Sequence, residues 1–489
     1  MTRKPNEIKR ILITGATGYV GSRLVRVLTS YDYRIRCMAR RIESLDLPAD
    51  SNCETVAADL LDRATLSPAL DGVHTAFYLV HSLTGGGDFA KLDRHAAQNF
   101  AYAAKQAGVH RIIYLGGLGC GPDLSPHLAS RQEVGCILAD SGIDTIEFRA
   151  SIIIGSGSIS FEMIRSLVEK LPVMVTPHWV RTQAQPISIN DVIAYLLEAI
   201  ELPLEGSRTF EIGGPERVSY DGIMREYARQ RGLRRWMIPV PVLTPYLSSL
   251  WLRFVTPLYV KIGRALIEGI KNPTVVNDSA AADVFSVQPV NVRKAIAAEL
   301  RAEDDEFEKF SAVEINTSET AHQQHLCFRR HWRIIDMYWT DVSVAPDKIF
   351  KVIRHIGDPE SGFFSNSLWT LRKAIDALLG GPGFRKSTCD TDDLKVGNII
   401  DFWRVEARAP NRLMRLKVEM KVPGPAWLQF ETCPNSNGTT LYQTAIFDPR
   451  GLFGLCYWYA LYPLHRIIFR QMLKNIAKRS TQLDKARPV

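Results

Sequence analysis

Gly15, Gly18 and Gly21 stand at three-residue spacing directly after the short apolar run 11–14. A tight turn without side chains lets backbone N–H groups approach an anion, and a helix starting there adds the positive end of its dipole. The chemistry on offer is binding of a pyrophosphate, with Gly15, Thr17, Gly18, Tyr19, Val20 and Gly21 as candidate contacts. A second group with chemical meaning is Arg40-Arg41, at the end of the next strand-like run, 33–39. Where a dinucleotide-binding unit places a carboxylate for the adenosine ribose, this chain has two guanidinium groups, which suit a 2′-phosphate. One charge-assisted contact of that kind contributes about 1.5–3 kcal/mol, around tenfold to a hundredfold in preference. NADP(H) is therefore the expected ligand, with Arg40 its primary and Arg41 its secondary contact; NAD stays compatible with the glycine turn. A solvated basic strand end is the competing reading of the two arginines.

These residues work only if elements hold them in place. Residues 11–14 are β-branched and apolar, as a buried strand requires, and Val20, Leu24, Val27 and Leu28 recur at helical spacing to give one apolar face. Further strands are expected at 55–58, 75–80, 111–115 and 145–149, with a helix through Asp93, Ala96, Asn99 and Ala103. Alternation of this kind predicts an α/β fold, a doubly wound parallel sheet with its ligand at the carboxyl ends of the strands. His81, just after the fourth strand and before the glycine run 85–87, should then border the cofactor.

Thr14 and the glycines form the pattern TGxxGxxG, which resembles the signature of extended and atypical short-chain dehydrogenase/reductases (SDRs). The wording AAKQAGVHRIIYLGG at 103–117 is close to that of their NmrA-like branch. The resemblance covers about residues 8–300 and implies an NAD(P)-binding Rossmann domain. It further implies Asp59 and Leu60 beside the adenine, the Gly155 turn beside the nicotinamide, Asp191 capping a helix, and 209–214 as the final sheet strand. Such reductases carry a Ser after the fifth strand and a Tyr-x-x-x-Lys on the next helix. Here Gly116-Gly117 stand in place of the Ser, and His127 and Arg131 match the Tyr and Lys positions. Residues four apart share a helical face, so the pair could point together at the nicotinamide. An imidazolium could donate a proton to a developing alkoxide, whereas Arg131 could bind ribose or phosphate but not act as a base. His127 and Arg131 are thus the candidate catalytic residues, against a helix that merely anchors the cofactor.

The 489 residues suffice for two or three domains, and the net charge of +8 alone does not choose between an anionic cofactor, lipid or nucleic acid. No helix-turn-helix or zinc-finger pattern is present, so no nucleic-acid partner is expected. Eight scattered cysteines without a CxxC pair, and a basic start without a secretory apolar segment, predict a cytoplasmic protein. The apolar stretch 238–252 is punctuated by prolines and interrupted by Arg253, which suits a pocket wall or an interface rather than a membrane span. A linker is expected at 301–330, with an acidic run at 303–308. His322, His325, Cys327 and His331 around it fit no closed Cys/His set, so no metal is expected.

A second domain is expected at 331–485: a strand at 332–344, helices at 346–356 and 367–379, a hairpin turn at 435–438 and a long helix from Gly451. In 414–422 the even positions are apolar and the odd ones charged, the period of a half-buried strand. This order resembles an α+β helix-grip, START-like fold, which implies an apolar cavity and a lipid-like ligand. Its wording (DFWRVE, EMKVPGPAWL) resembles a domain of unknown function that bacterial SDR-like proteins carry C-terminally. In the last helix an uncharged stretch, 451–464, precedes Arg466, Arg470, Lys474 and Lys478. Such a stripe beside aromatics could make peripheral contact with an anionic membrane; a solvated face over a core helix is the favoured reading. The whole is expected to be an NADP(H)-binding oxidoreductase for a hydrophobic carbonyl, enone or quinone. A non-catalytic NADP(H) sensor with a lipid-like ligand domain is the alternative.

Overall fold

The computed structural model describes residues 9–47, 53–82, 89–121, 123–240, 269–316, 324–355, 394–400 and 402–485. The glycine run 85–87, the apolar stretch from residue 241 onward, His322 and the helix expected at 367–379 lie outside the described residues. The chain divides into two units, Met1–Ala302 and Glu303–Val489.

In the first unit, β1 (Arg10–Thr14), β2 (Arg34–Ala39), β3 (Cys53–Ala57), β4 (Thr75–Tyr78), β5 (Arg111–Gly117), β6 (Asp144–Ala150) and β7 (Arg208–Ile212) form one sheet. Its order is β7-β6-β5-β4-β1-β2-β3, and every pairing is parallel. The helices are α1 (Tyr19–Leu28), α2 (Arg63–Leu70), α3 (Phe89–Gln106), α4 (Pro126–Ala139), α5 (Ile159–Lys170), α6 (Ile189–Glu201), α7 (Tyr220–Gln230) and α8 (Val292–Glu308), whose residues from Glu303 onward belong to the second unit. Parallel strands buried on both faces need apolar residues throughout, and that is why β1 has no alternation. Ile11, Ile13, Phe77 and Ile113 pack with Leu24, Leu28, Val192 and Leu196 of α1 and α6. Leu12, Ala76, Tyr78 and Ile112 pack on the other side with Leu66, Ala97 and Phe100 of α2 and α3. Each such fully buried side chain contributes about 1.5–3 kcal/mol. Strand order reverses between β1 and β4, and at that switch the carboxyl ends leave a crevice for a ligand.

Several expectations change here. The buried face of α1 is Gly21, Leu24, Val25 and Leu28, while Val27 is turned outward. Ser188, not Asp191, caps α6, its Oγ accepting from Asn190 N at 3.2 Å; the Asp191 carboxylate accepts instead from Val290 N at 2.9 Å. The stretch 301–330 is largely regular structure rather than a linker. Its acidic run closes α8, and α9 (Ala312–Asn316) and β8 (His325–Arg330) follow. Acidic side chains at a helix C-terminus oppose the dipole, and cations offset them: Glu306 accepts from Arg330 and, at 2.9 Å, from His331.

The second unit is a separate antiparallel sheet: β8, β9 (Arg333–Val342), β10 (Ile399–Ile400), β11 (Trp403–Ala409), β12 (Leu413–Val418), β13 (Ala426–Asn435) and β14 (Gly438–Phe447). The order is β8-β9-β14-β13-β12-β11-β10. On one face Val405, Leu416, Leu428 and Phe430 pack with Ile349 and Ile353 of α10 (Pro346–Arg354) and Met472 and Ile476 of α11 (Gly451–Lys485). β12 ends at Val418, short of the expected 422, and its odd positions are not all solvated. Arg415 is only 2% exposed, because residues at and just after the end of α8 cover that face. Its Nε donates to Gln429 Oε1 at 2.6 Å, and the guanidinium lies 4.5 Å from the Phe307 ring centre. Glu431 accepts from Ser311 Oγ and Ala312 N on the same side. Period two in this strand separates an apolar buried face from a polar buried one. His325 bonds Asp336 Oδ1 at 2.7 Å and stacks on Tyr338, while His331 sits in the β8–β9 turn at φ 54°.

Candidate functional site: the crevice at the strand ends

The glycine turn is built so that no side chain fits in it. Gly15 adopts φ +69°, and a Cβ there would come within 2.7 Å of Leu79 O. Gly18 N donates to Gly15 O at 2.8 Å and closes the turn. A Cβ on Gly21 would lie 2.2 Å from Gly15 O, so α1 starts closer to the turn than any other residue would permit. Gly18 at the N-cap offers no side-chain acceptor, which leaves the first N–H groups of α1 for a ligand. Thr14 Oγ1 donates to Phe77 O at 2.9 Å and accepts from Leu79 N at 3.2 Å, tying the ends of β1 and β4 together. This cradle fits a dinucleotide pyrophosphate.

Arg40 and Arg41 follow β2, whose register sets Met38 beside Thr14, and both are exposed. One oxygen of the Asp59 carboxylate accepts from Leu61 N at 3.0 Å. The Leu60 side chain belongs to the core and its carbonyl accepts from Asn99 at 3.0 Å, so that residue can offer little to an adenine.

Beside the turn, at the carboxyl ends of β5 and β6, is a cavity of about 400 Å³. Of the residues singled out in the sequence it brings together Gly18, Tyr19, Val20, His81, His127 and Arg131; Gly15, Thr17, Gly21, Arg40, Arg41, Asp59 and Leu60 are not on its wall. His81 is positioned by its neighbour: Ser82 N donates to Oδ1 of the buried Asp93 at 2.7 Å, and Asp93 Oδ2 accepts from Ser130 on α4. His127 lies in the first turn of α4, which starts at the Ser125 cap with Pro126 following. The two imidazole centres are 5.4 Å apart. Burial, with the Arg131 cation as a second cause, pushes His127 down to about 4 and His81 down to about 2. This corrects the expected imidazolium donor: both rings are neutral at neutral pH, each with one N–H donor and one acceptor nitrogen. Arg131 is tethered, its guanidinium donating to Leu115 O and its own carbonyl accepting from Tyr114 Oη at 2.8 Å.

The glycine at 116 has a steric cause. A Cβ at Gly116 would lie 2.7 Å from Glu147 Oε1, and one at Gly135 on α4 would lie 2.5 Å from Glu147 Oε2. That carboxylate is buried and paired with Arg149 at 2.9 Å and Thr209 at 3.1 Å. A buried ion pair thus occupies the space into which a side chain at 116 would grow.

Sequence reasoning missed a cluster of hydroxyls on the same wall. Ser151 Oγ and Thr274 Oγ1 are 2.6 Å apart, and the buried Tyr220 at the start of α7 bonds to Thr274. The only signal available was a Ser just beyond the end of a strand; its partners come from 69 and 123 residues further on and carry no motif. Tyr19 Oη is buried with no hydrogen-bond partner among the described residues and faces Gly155, where a Cβ would collide with it; burial raises its pKa. The turn at Gly155 is braced by Glu299, which accepts from Ser156 N at 2.8 Å, and by the buried Arg165, which donates to Ser156 Oγ at 3.0 Å.

Residues 15–142 match the family described as NAD(P)H-binding, and residues 329–472 match one described as Protein of unknown function (DUF2867). The 3 beta-hydroxysteroid dehydrogenase/Delta 5-->4-isomerase of Mycobacterium tuberculosis is 29% identical over 196 residues, 34% of this chain and 52% of that protein. The UDP-glucose 4-epimerase of Vibrio cholerae is 24% identical over 272 residues, 48% of this chain and 79% of that protein. The chain spans about half the length of the first of these relatives. Among solved structures, the triphenylmethane reductase of Citrobacter sp. superposes with a TM-score of 0.50 at 17% identity, over 60% of this chain and 99% of that one, a likeness of fold. The parallel sheet, the glycine cradle and the matched family define the first unit as an NAD(P)H-binding Rossmann domain, with SDR-like proteins among its relatives. No helix among the described residues is long and apolar enough to cross a membrane.

Proposed function

We propose that the first unit is an NADP(H)-dependent oxidoreductase that reduces a hydrophobic carbonyl, enone or quinone. The observation that carries this is the lining of the 400 Å³ cavity, which holds Leu79, Leu115, Leu118, Ile152 and Met163, neutral imidazoles, hydroxyls and the single cation Arg131, with no carboxylate or lysine among the described residues. When bound, the dinucleotide supplies hydride. The protein holds its pyrophosphate at Gly15, Gly18 and Gly21 and takes the 2′-phosphate at Arg40. The apolar wall keeps water from the substrate, and His127 or the Ser151–Thr274–Tyr220 cluster donates a hydrogen bond to the substrate oxygen as charge grows there. With a pKa of about 4, His127 serves as a hydrogen-bond donor to the developing alkoxide rather than as its acid or base, and the proton that completes the reduced oxygen is taken from solvent at the cavity mouth.

The second unit is read as a helix-grip domain. Its apolar cavity among the described residues is about 50 Å³, against the roughly 300–1,000 Å³ of drug-sized ligand sites, so it lends no weight to a lipid-sensing role. NADPH oxidation against a panel of quinones and hydrophobic aldehydes tests the proposal. Turnover is expected, falling about tenfold to a thousandfold in His127→Ala if that ring is the donor. Tight NADPH binding without turnover anywhere in the panel overturns it and leaves a dinucleotide sensor.

A further inference from the structure

Between Gly451 and Leu483, α11 contains no Asp or Glu, while it carries Arg466, Arg470, Lys474, Lys478 and Arg479. Its inward side is settled: Leu455, Trp458, Ile468, Met472, Leu473 and Ile476 are buried. Its outward side is not that of an ordinary solvated helix. Phe453 is 75% exposed, Ile467 65%, Tyr459 56% and Leu452 46%, and Cys456 and Pro463 are exposed beside them. At about 100° per residue these positions fall in one sector of the helix, and Arg466, Arg470, Lys474 and Lys478 continue that sector toward the C-terminus. All four cations are exposed, and none of them makes a salt bridge among the described residues. A solvated stripe accounts for the cations but not for a phenylalanine and an isoleucine held out in water at the same longitude. Single exposed apolar residues need no cause, but a contiguous row of them does.

We propose that this face of α11 docks on an anionic phospholipid membrane. The helix lies along the surface, Leu452, Phe453, Tyr459 and Ile467 entering the boundary between headgroups and acyl chains and the four cations resting on lipid phosphates. Charge complementarity selects this occupant. A second copy of the same face would bring like cations together, and a nucleic acid would leave the apolar half in water.

Co-sedimentation of the full chain with vesicles of phosphatidylcholine, alone or mixed with phosphatidylserine, is the test. Binding is expected only to the mixed vesicles and should weaken as salt rises. Each cation near the surface adds about fivefold to the partition, so replacing Arg466, Arg470, Lys474 and Lys478 together by Gln should lower it at least a hundredfold. Phe453→Ser leaves the charge unchanged and should lower it about tenfold. Both variants should bind NADPH and give the circular dichroism of the parent, which shows that they fold. Absence of binding to the mixed vesicles overturns the proposal. So does binding that Phe453→Ser leaves unchanged, which is attraction of a cationic chain without a docking face. A dimer that Phe453→Ser disperses assigns the face to a second copy instead and equally overturns it.

Discussion

Acidification should loosen the first unit through the two histidines of its cavity, and the size of the effect follows from where they sit. His127 has a folded pKa of about 4 against an ordinary 6.5, because its ring is buried and faces Arg131. The unfolded chain therefore binds more protons than the folded one between those values. The stability this neutral ring allows is intact above 6.5, is lost as the pH falls through that window, and changes no further below 4. At 1.36 kcal/mol per unit the ceiling is about 3 kcal/mol, and at about pH 5 the loss is about 2 kcal/mol. His81, pushed down to about 2, should add a comparable amount at the same pH. Water entering the open cavity screens both, so these are upper figures. The perturbation is His127→Gln, alone and with His81→Gln. The assay is urea unfolding at neutral pH and near pH 5, read by hydrogen exchange in peptides of β1, β4 and β5, which reports this unit separately from the other. The single variant should remove about 2 kcal/mol of the pH dependence and the double variant more. An unchanged pH slope in the double variant, or a His127 ring resonance titrating near 6.5, would refute the reasoning.

Arg40→Ala should raise the dissociation constant for NADPH about tenfold to a hundredfold and leave that for NADH unchanged, measured by fluorescence titration. Retained preference for NADPH would remove Arg40 from the site. Gly21→Ala forces a methyl to within 2.2 Å of Gly15 O, so α1 must withdraw. A loss of about 1–3 kcal/mol in thermal or urea stability should accompany NADPH binding weakened more than tenfold. Arg415→Ala, which takes a donor from the buried Gln429 Oε1 and from Phe310 O and a neighbouring cation from the buried Glu431, should cost about 3–5 kcal/mol by urea unfolding, and Arg415→Met much less.

The neutral histidines, the hydroxyl cluster and the buried arginine show where sequence reasoning stopped. His127 and Arg131 could be placed on one helix from their spacing, but spacing says nothing of the burial that holds the ring neutral. Ser151, Tyr220 and Thr274 meet only because β6, α7 and the segment around Thr274, well beyond α7, converge on the same strand ends. The alternation in β12 was legible as far as Leu416, yet it could not reveal that residues from the end of α8 onward bury the opposite face and turn Arg415 inward.

What the chain determined by itself is local. Unbroken apolar runs demand a sheet buried on both sides, and three glycines at three-residue spacing fix a turn into which no Cβ fits; both are properties of a few consecutive residues. The tertiary structure decided everything that depends on what stands opposite: why Gly116 carries no side chain, since Glu147 occupies the space; why two imidazoles lose their protons, since their rings are buried beside Arg131; and why α11 presents phenylalanine and isoleucine outward beside its cations. Sterics and periodicity act along the chain, whereas desolvation and charge pairing act between segments distant in it, and only folding brings those segments together.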